Sequence, residues 1–378
     1  HGGCFLNPYL RNKKGVITMG KITIVGAGNA GCTYAAYAGM AGHDVCLYES
    51  PEFADNLTDI AARGGLEVTG CKEGFGRVAK TTTDIKEALE YADYILVVMP
   101  AFGHKIMAKL FAPYLKSGQT VVLNPGDVFG AVEFLSTLRQ CGNHEDVTIG
   151  ETASSIFACR RHRPADVVIL GIKEGMQLGC IPASRTEKVV EDLKAFFPQY
   201  IGVPNVLHSS CLDINAFVHP ICALLNSARI ENTKGNFDFY WDGMTEGVCA
   251  NMEAIDNEKL AIGRAMGYEL VPLLEQCHRY YGYEECKTLH VYFTTNTVNG
   301  GSPSSKAPST FKHRYVTEDV PYGLVPLSDL AKVAGVPTPH IDAVITLCST
   351  FNGEDYRAIG RSFANLGLAG KSLYEIKD

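Results

Sequence analysis

The chain has 378 residues, 46% of them hydrophobic and 20% charged, with a formal net charge of −7. A single core stops growing near about 250–300 residues, so two domains are expected. The mild acidity and the lack of any basic run argue against nucleic acid or an anionic membrane as a partner. The longest apolar run, YILVVMPAF (94–102), is about half of the roughly 20 residues that a membrane-spanning helix needs.

Thirteen cysteines occur and none are spaced C-x-x-C. Cys32, Cys46, Cys222 and Cys348 lie inside apolar segments, the usage expected of small core residues in a reducing compartment such as the cytoplasm. No structural metal and no disulfide framework is expected. Residues 1–18 lack the apolar stretch of a signal peptide, precede Met19 and read as an extension outside the fold.

The fold begins with KITIVGAGNAGCTYAAYAGMAGHDVCLYES (21–50). A β-branched strand leads into Gly26, Gly28 and Gly31, then a small-residue helix and a second strand. Gly26 permits the tight turn, Gly28 admits a pyrophosphate, and Gly31 lets helix and strand pack closely. The helix N-terminus at Asn29 and Ala30 offers unpaired N–H groups to the phosphates. Glu49, about 18 residues past Gly31, ends the second strand where a carboxylate binds ribose hydroxyls and repels a 2′-phosphate. NAD is therefore expected, with NADP left open because Arg63 or Lys72 could fold back.

Two more strands end at Met99 and Leu123. Ligands gather at the carboxyl ends of parallel strands, so Pro100 and Ala101 should face the cofactor, and Asn124 should lie near its nicotinamide. His104 opens the next helix and reads as a solvated loop histidine. Residues 146–184 alternate apolar and polar and read as strands that complete the sheet. Their Arg160, Arg161 and Arg163 read as a solvated face, or as a cluster for an anionic substrate.

From about residue 204 the pattern becomes helical, which sets domains at 19–203 and 204–378 and a cleft between them. INAFVHPICALLNSARIE (214–231) stands out, because proline inside a helix costs about 3 kcal/mol. At about 100° per residue, His219 and Asn226 fall within about 40° of Asn215, a polar stripe on an apolar rod. Cys222 and Arg229 flank the stripe, and Pro220 should bend the helix beside it. His219 fits either a satisfied core histidine or a general acid/base facing a nicotinamide.

Several segments together resemble the octopine/opine dehydrogenase family. They are NAFVHPICALLNSARIE, the GET at 150–152 with Cys159–Arg160, YWDGMTEGV leading into EAIDNEKLAIGRAMG, and KAPSTFKHRYVTEDVPYGLVPLSDLAKVAGVPTPHID (306–342). The resemblance implies a Rossmann-type α/β domain followed by an all-α domain of the 6-phosphogluconate-dehydrogenase C-terminal type. It implies NAD(P)H-dependent condensation of an amino acid with a 2-keto acid such as pyruvate; whether the enzyme is a homodimer stays open. By the same resemblance His219 is the catalytic base, Asp319 its acidic partner, Arg314 a carboxylate anchor and Thr152 a neighbour of the keto acid. Asn215 and Asn226 join them as substrate-facing candidates from the stripe. Two other readings stay open: a dehydrogenase of a simple 2-keto or 3-hydroxy acid, and a dinucleotide sensor without catalysis.

Overall fold

The computed structural model describes residues 20–298 and 306–377; the expected extension at 1–18 lies outside them. Twelve strands fill the first half: β1 (Lys21–Val25), β2 (Asp44–Tyr48), β3 (Gly65–Gly70), β4 (Gly74–Arg77), β5 (Lys80–Thr82), β6 (Tyr94–Val97), β7 (Thr120–Leu123), β8 (Thr148–Thr152), β9 (Phe157–Arg163), β10 (Asp166–Ile172), β11 (Met176–Ile181) and β12 (Tyr200–Gly202). Eight of them form a sheet in the order β12-β11-β8-β7-β6-β1-β2-β5. Pairing is parallel except between β8 and β11. The strand order reverses between β1 and β6, which leaves a crevice at their carboxyl ends where nucleotides bind in such sheets.

The expected completion of this sheet by residues 146–184 is half correct. β8 and β11 join it, but β9 and β10 leave to form a second sheet, β4-β3-β10-β9. Alternation reveals that one face of a strand is buried, not which sheet buries it.

The second sheet covers the outer face of the helix Asn29–Met40, whose inner face lies on the main sheet. That position explains the helix's alanines and glycines. A Cβ on Gly39 would stand 2.1 Å from Arg77 O, and one on Gly76 would stand 2.2 Å from Ala36 O.

Beyond β12 the chain is helical, its longest members being Ile214–Leu225, Glu246–Met266 and Pro339–Asn352. Their apolar faces form one core that also takes in Val128, Phe129 and Ala153 from the first half. The helix through His219 runs past Pro220 to Leu225, and the marked bend, 65°, comes at Asn226 instead. No single helix among the described residues is long and apolar enough to cross a membrane.

The seam between the halves is tied by a buried guanidinium. Arg361 donates to Gly126 O and Val128 O at 3.0 and 2.9 Å and pairs with Glu133 at 2.9 Å. His104 lies against the same group, fully buried rather than solvated as its loop position suggested. Burial first, and the Arg361 charge second, hold its imidazole well below the usual range. Replacing Arg361 by Met strands the Glu133 carboxylate and three acceptors. It should lower stability by about 3–5 kcal/mol, the scale for breaking a buried pair, seen as a lower urea midpoint. An unchanged midpoint would show that the guanidinium does not hold the seam.

Candidate active site

The coenzyme side is built by the loop between β1 and the Asn29–Met40 helix. Gly26 sits at φ +105°, and a Cβ there would meet Val98 O at 2.6 Å. A Cβ on Gly31 would stand 1.8 Å from Gly26 O. Gly28 is different, because beyond its own chain neighbours no protein atom lies within 4 Å of where its Cβ would be. Its smallness therefore keeps room for something outside the chain. No side chain caps the helix that starts after it, so the first-turn N–H groups at Asn29 and Ala30 are open to phosphate.

Glu49 accepts from Ala27 N at 3.0 Å, Ser50 N at 2.8 Å and Asn56 Nδ2 at 3.3 Å. A carboxylate has about four acceptor positions, so one is left for a ribose hydroxyl. These residues fit a dinucleotide.

The cation beside them is neither Arg63, which pairs with Asp166 at 2.8 Å, nor a solvated member of an arginine face. It is Arg161, which reaches in from β9. Its Nη1 donates to Ala27 O at 2.8 Å and its Nη2 to Asn56 O at 2.9 Å, and its backbone N donates to Asn29 Oδ1 at 3.0 Å. Arg160 and Arg163 stay toward the surface.

The other expected coenzyme residues are engaged inside the protein. Ala101 N donates to Glu318 Oε1 at 2.9 Å, just past Pro100. Asn124 is buried, its Oδ1 accepting from Tyr200 at 2.7 Å and its Nδ2 donating to Val122 O at 3.1 Å.

Across the seam, His219 Nδ1 lies 2.7 Å from Asp319 Oδ2, with side chains 13% and 5% exposed. Its Nε2 lies 2.9 Å from Tyr240 Oη, and its ring stacks on Tyr315 at 4.1 Å between centroids. Asp319 directly precedes a π-helical turn, Val320–Leu324, a local irregularity common at functional sites.

Burial first, and the Arg314 charge second, lower the His219 imidazole to about 3. Burial first, and Glu318 second, raise the Asp319 carboxyl. Both shifts say the same thing: separated charge is penalised here, so the pair holds a single proton between Nδ1 and Oδ2. When it does, Nε2–H faces Tyr240; when the proton leaves, Nε2 accepts from the Tyr240 hydroxyl.

Asn215 and His219 line a cavity of about 60 Å³ with Tyr240 and Lys173, room for a few waters. Arg314 pairs through Nε with Glu318 at 2.9 Å and is 57% exposed.

Two expected substrate residues are engaged by other protein groups. Thr152 is fully buried, with its hydroxyl 2.8 Å from Ser154 O. Asn226 uses its amide on Cys222 O and Gly243 O, because the helix ends there and the wheel projection no longer applies. Tyr240, Tyr315, Glu318 and Lys173 carry no spacing signal that would have singled them out, and Arg161 stood out only as one of three clustered arginines. Only the YWDGM and HRYVTED segments pointed to the first three.

A Rossmann sheet facing a His–Asp pair on a helical half defines a two-domain NAD(P)-dependent dehydrogenase. Comparison with known proteins narrows the class. Residues 202–352 match the family model described as NAD/NADP octopine/nopaline dehydrogenase, alpha-helical domain, and residues 22–182 match that of ketopantoate reductase PanE/ApbA. An opine dehydrogenase of Arthrobacter sp. (strain 1C) is 38% identical over 355 residues, covering 94% of this chain and 97% of that protein. An octopine dehydrogenase solved with NADH and L-arginine superposes with a TM-score of 0.76 at 21% identity, covering 95% and 98% of the two chains. A yersinopine dehydrogenase with NADP+ superposes with a TM-score of 0.67 at 16% identity, covering 95% and 99%. The chain belongs to the opine dehydrogenase family.

Arg161 touches both the glycine loop and the segment after β2. Arg161→Ala should weaken NADH binding by about tenfold or more, the loss of one or two charge-assisted hydrogen bonds, in a coenzyme-fluorescence titration. An unchanged affinity would make Arg161 a purely structural clip.

Proposed function

We propose that this chain joins the amino group of an L-amino acid to a 2-keto acid such as pyruvate, reduces the product with NADH, and runs the reverse oxidation. The observation that carries the reading is the buried Asp319–His219–Tyr240 chain of contacts, which ends in a cavity lined from both halves. The buried cysteines support a reducing compartment, the cytoplasm, as its place of work.

Arg314 orients the keto-acid carboxylate through the outer nitrogens of its fork. His219, in the protonated pair, directs Nε2–H through Tyr240 toward the carbonyl oxygen. A neutral amine adds to the carbonyl carbon, and its proton passes to the new hydroxyl. The pair's proton then goes to that hydroxyl, the C–O bond breaks, and water leaves an iminium carbon. When bound, the reduced coenzyme supplies the hydride that turns this carbon into a secondary amine. Asp319, left as carboxylate, holds Nδ1–H and keeps the imidazole oriented until a proton returns. The closed seam keeps solvent from hydrolysing the iminium.

The reaction is tested by following NADH oxidation with pyruvate and a panel of amino acids, each partner omitted in turn. Turnover should need both. His219→Ala should lower turnover by about a hundredfold or more while NADH affinity stays within about twofold. Near-normal turnover would remove His219 from the chemistry.

The pH dependence has a definite sign. Condensation consumes the pair's proton, so at saturating substrate its rate is full below the pair's pKa and falls above it. Oxidation needs the vacant site and rises through the same pKa. Rate profiles in both directions should cross, and parallel profiles would refute the shared-proton assignment.

A further inference from the structure

Lys173 follows β10 and reaches the seam from the first half, where its Nζ donates to Ser154 Oγ at 2.9 Å and Ser155 O at 2.8 Å. It also lies over the rings of Tyr280 and Tyr281, at 5.6 and 5.9 Å from their centroids. An ammonium has three donors, so one remains.

Lys173 forms no ion pair among the described residues. An enclosed cation paired with no anion is costly; burial lowers its pKa to about 8, and Asp213, a carboxyl that acts on it, is itself pushed by burial toward its neutral form. Two hydrogen bonds and ring contacts alone could have been met by a neutral side chain. The charge is unexplained until an anion is placed beside it.

The position says which anion. Among the described residues, Lys173 is the one member of the His219 cavity that comes from the first half; the rest of the lining runs from Ile214 to Phe293. Arg314 is not part of that lining, yet both cations act on His219, each lowering its basicity. The imidazole therefore has a cation toward the outer side and another inside the cavity. A product formed by joining two carboxylic acids through an amine carries two carboxylates. Around the inner cation the wall is aromatic and aliphatic, with Tyr280, Tyr281, Tyr292, Phe293 and Val218, and no acidic side chain lines it among the described residues.

We propose that Lys173 anchors the carboxylate of the amino-acid substrate, and that the aromatic and aliphatic wall beside it selects an uncharged, apolar side chain. This rests on the condensation reading and names the amine it would use. A cationic side chain would meet the Lys173 charge with no carboxylate to offset it, and an acidic one would compete for the same ammonium. Binding would also draw the halves together, since the anchor and the rest of the cavity belong to different domains.

The test uses the full-length protein with NADH and pyruvate. Lys173→Met should raise the KM for L-leucine or L-phenylalanine by about ten- to hundredfold, the loss of a charge-assisted contact. The KM for pyruvate and the fluorescence-titrated NADH affinity should stay within about twofold, which also shows that the variant is folded. Lys173→Arg should recover part of the loss. In the wild type, L-leucine and L-phenylalanine should exceed L-arginine and L-glutamate by at least about tenfold in kcat/KM.

An unchanged amino-acid KM, a shift confined to pyruvate, or a preference for arginine or glutamate overturns the assignment. Amine-independent NADH oxidation by the wild type sinks the condensation reading itself, and the anchor with it. That outcome is visible before any variant is made, so the two failures are distinguishable.

Discussion

The contact between the His219 imidazole and the Asp319 carboxyl joins segments a hundred residues apart, and the surrounding structure is arranged to make it tolerable. Each group alone would be expensive to bury, since an isolated charge in a low-dielectric interior costs several kcal/mol. Together they share one proton and expose no net charge. The helix Ile214–Leu225 supplies the histidine beside a proline, and the turn before Val320–Leu324 supplies the acid. Tyr240 and Tyr315 close the imidazole's remaining nitrogen and one of its faces.

The rest of the seam distributes charge in the same spirit. Glu318, next to Asp319, uses one oxygen on Ala101 N, just past β6, and the other on Arg314. The loop near the expected coenzyme site and the substrate-side arginine are thus joined through one carboxylate. Glu151, raised by burial to about 7, is held by Ala131 N and the Ser209 and Ser210 hydroxyls, again across the two halves. With Arg361, these contacts make the interface polar and specific rather than a greasy surface free to slide.

Much of this was legible in the sequence, for identifiable reasons. The glycine loop, Glu49 and the first strands have a fixed spacing because phosphate geometry demands it. The long helices announce themselves by apolar period. The His219–Asp319 pairing was not readable from spacing, since a hundred residues separate its members; it entered only by family resemblance. The stripe on the helix wheel held for Asn215 and His219 and failed at Asn226, where a capping bend no periodicity reveals ends the helix. The departure of β9 and β10 into a second sheet was also hidden, and it is this departure that carries Arg161 to the glycine loop and Lys173 to the cavity.

The helix Asn29–Met40, with alanine and glycine on nearly every side, has no face of its own for water. Backbone-to-backbone approach at Gly39 and Gly76 leaves no space for larger residues. The small sheet is therefore not an appendage that trimming could remove. A nucleotide unit pared to the eight-stranded layer would turn to solvent a rod with little polar surface, and would take from Tyr34 and Tyr37 the Phe157 ring of β9 on which both pack, so the two sheets and the rod between them fold as one module.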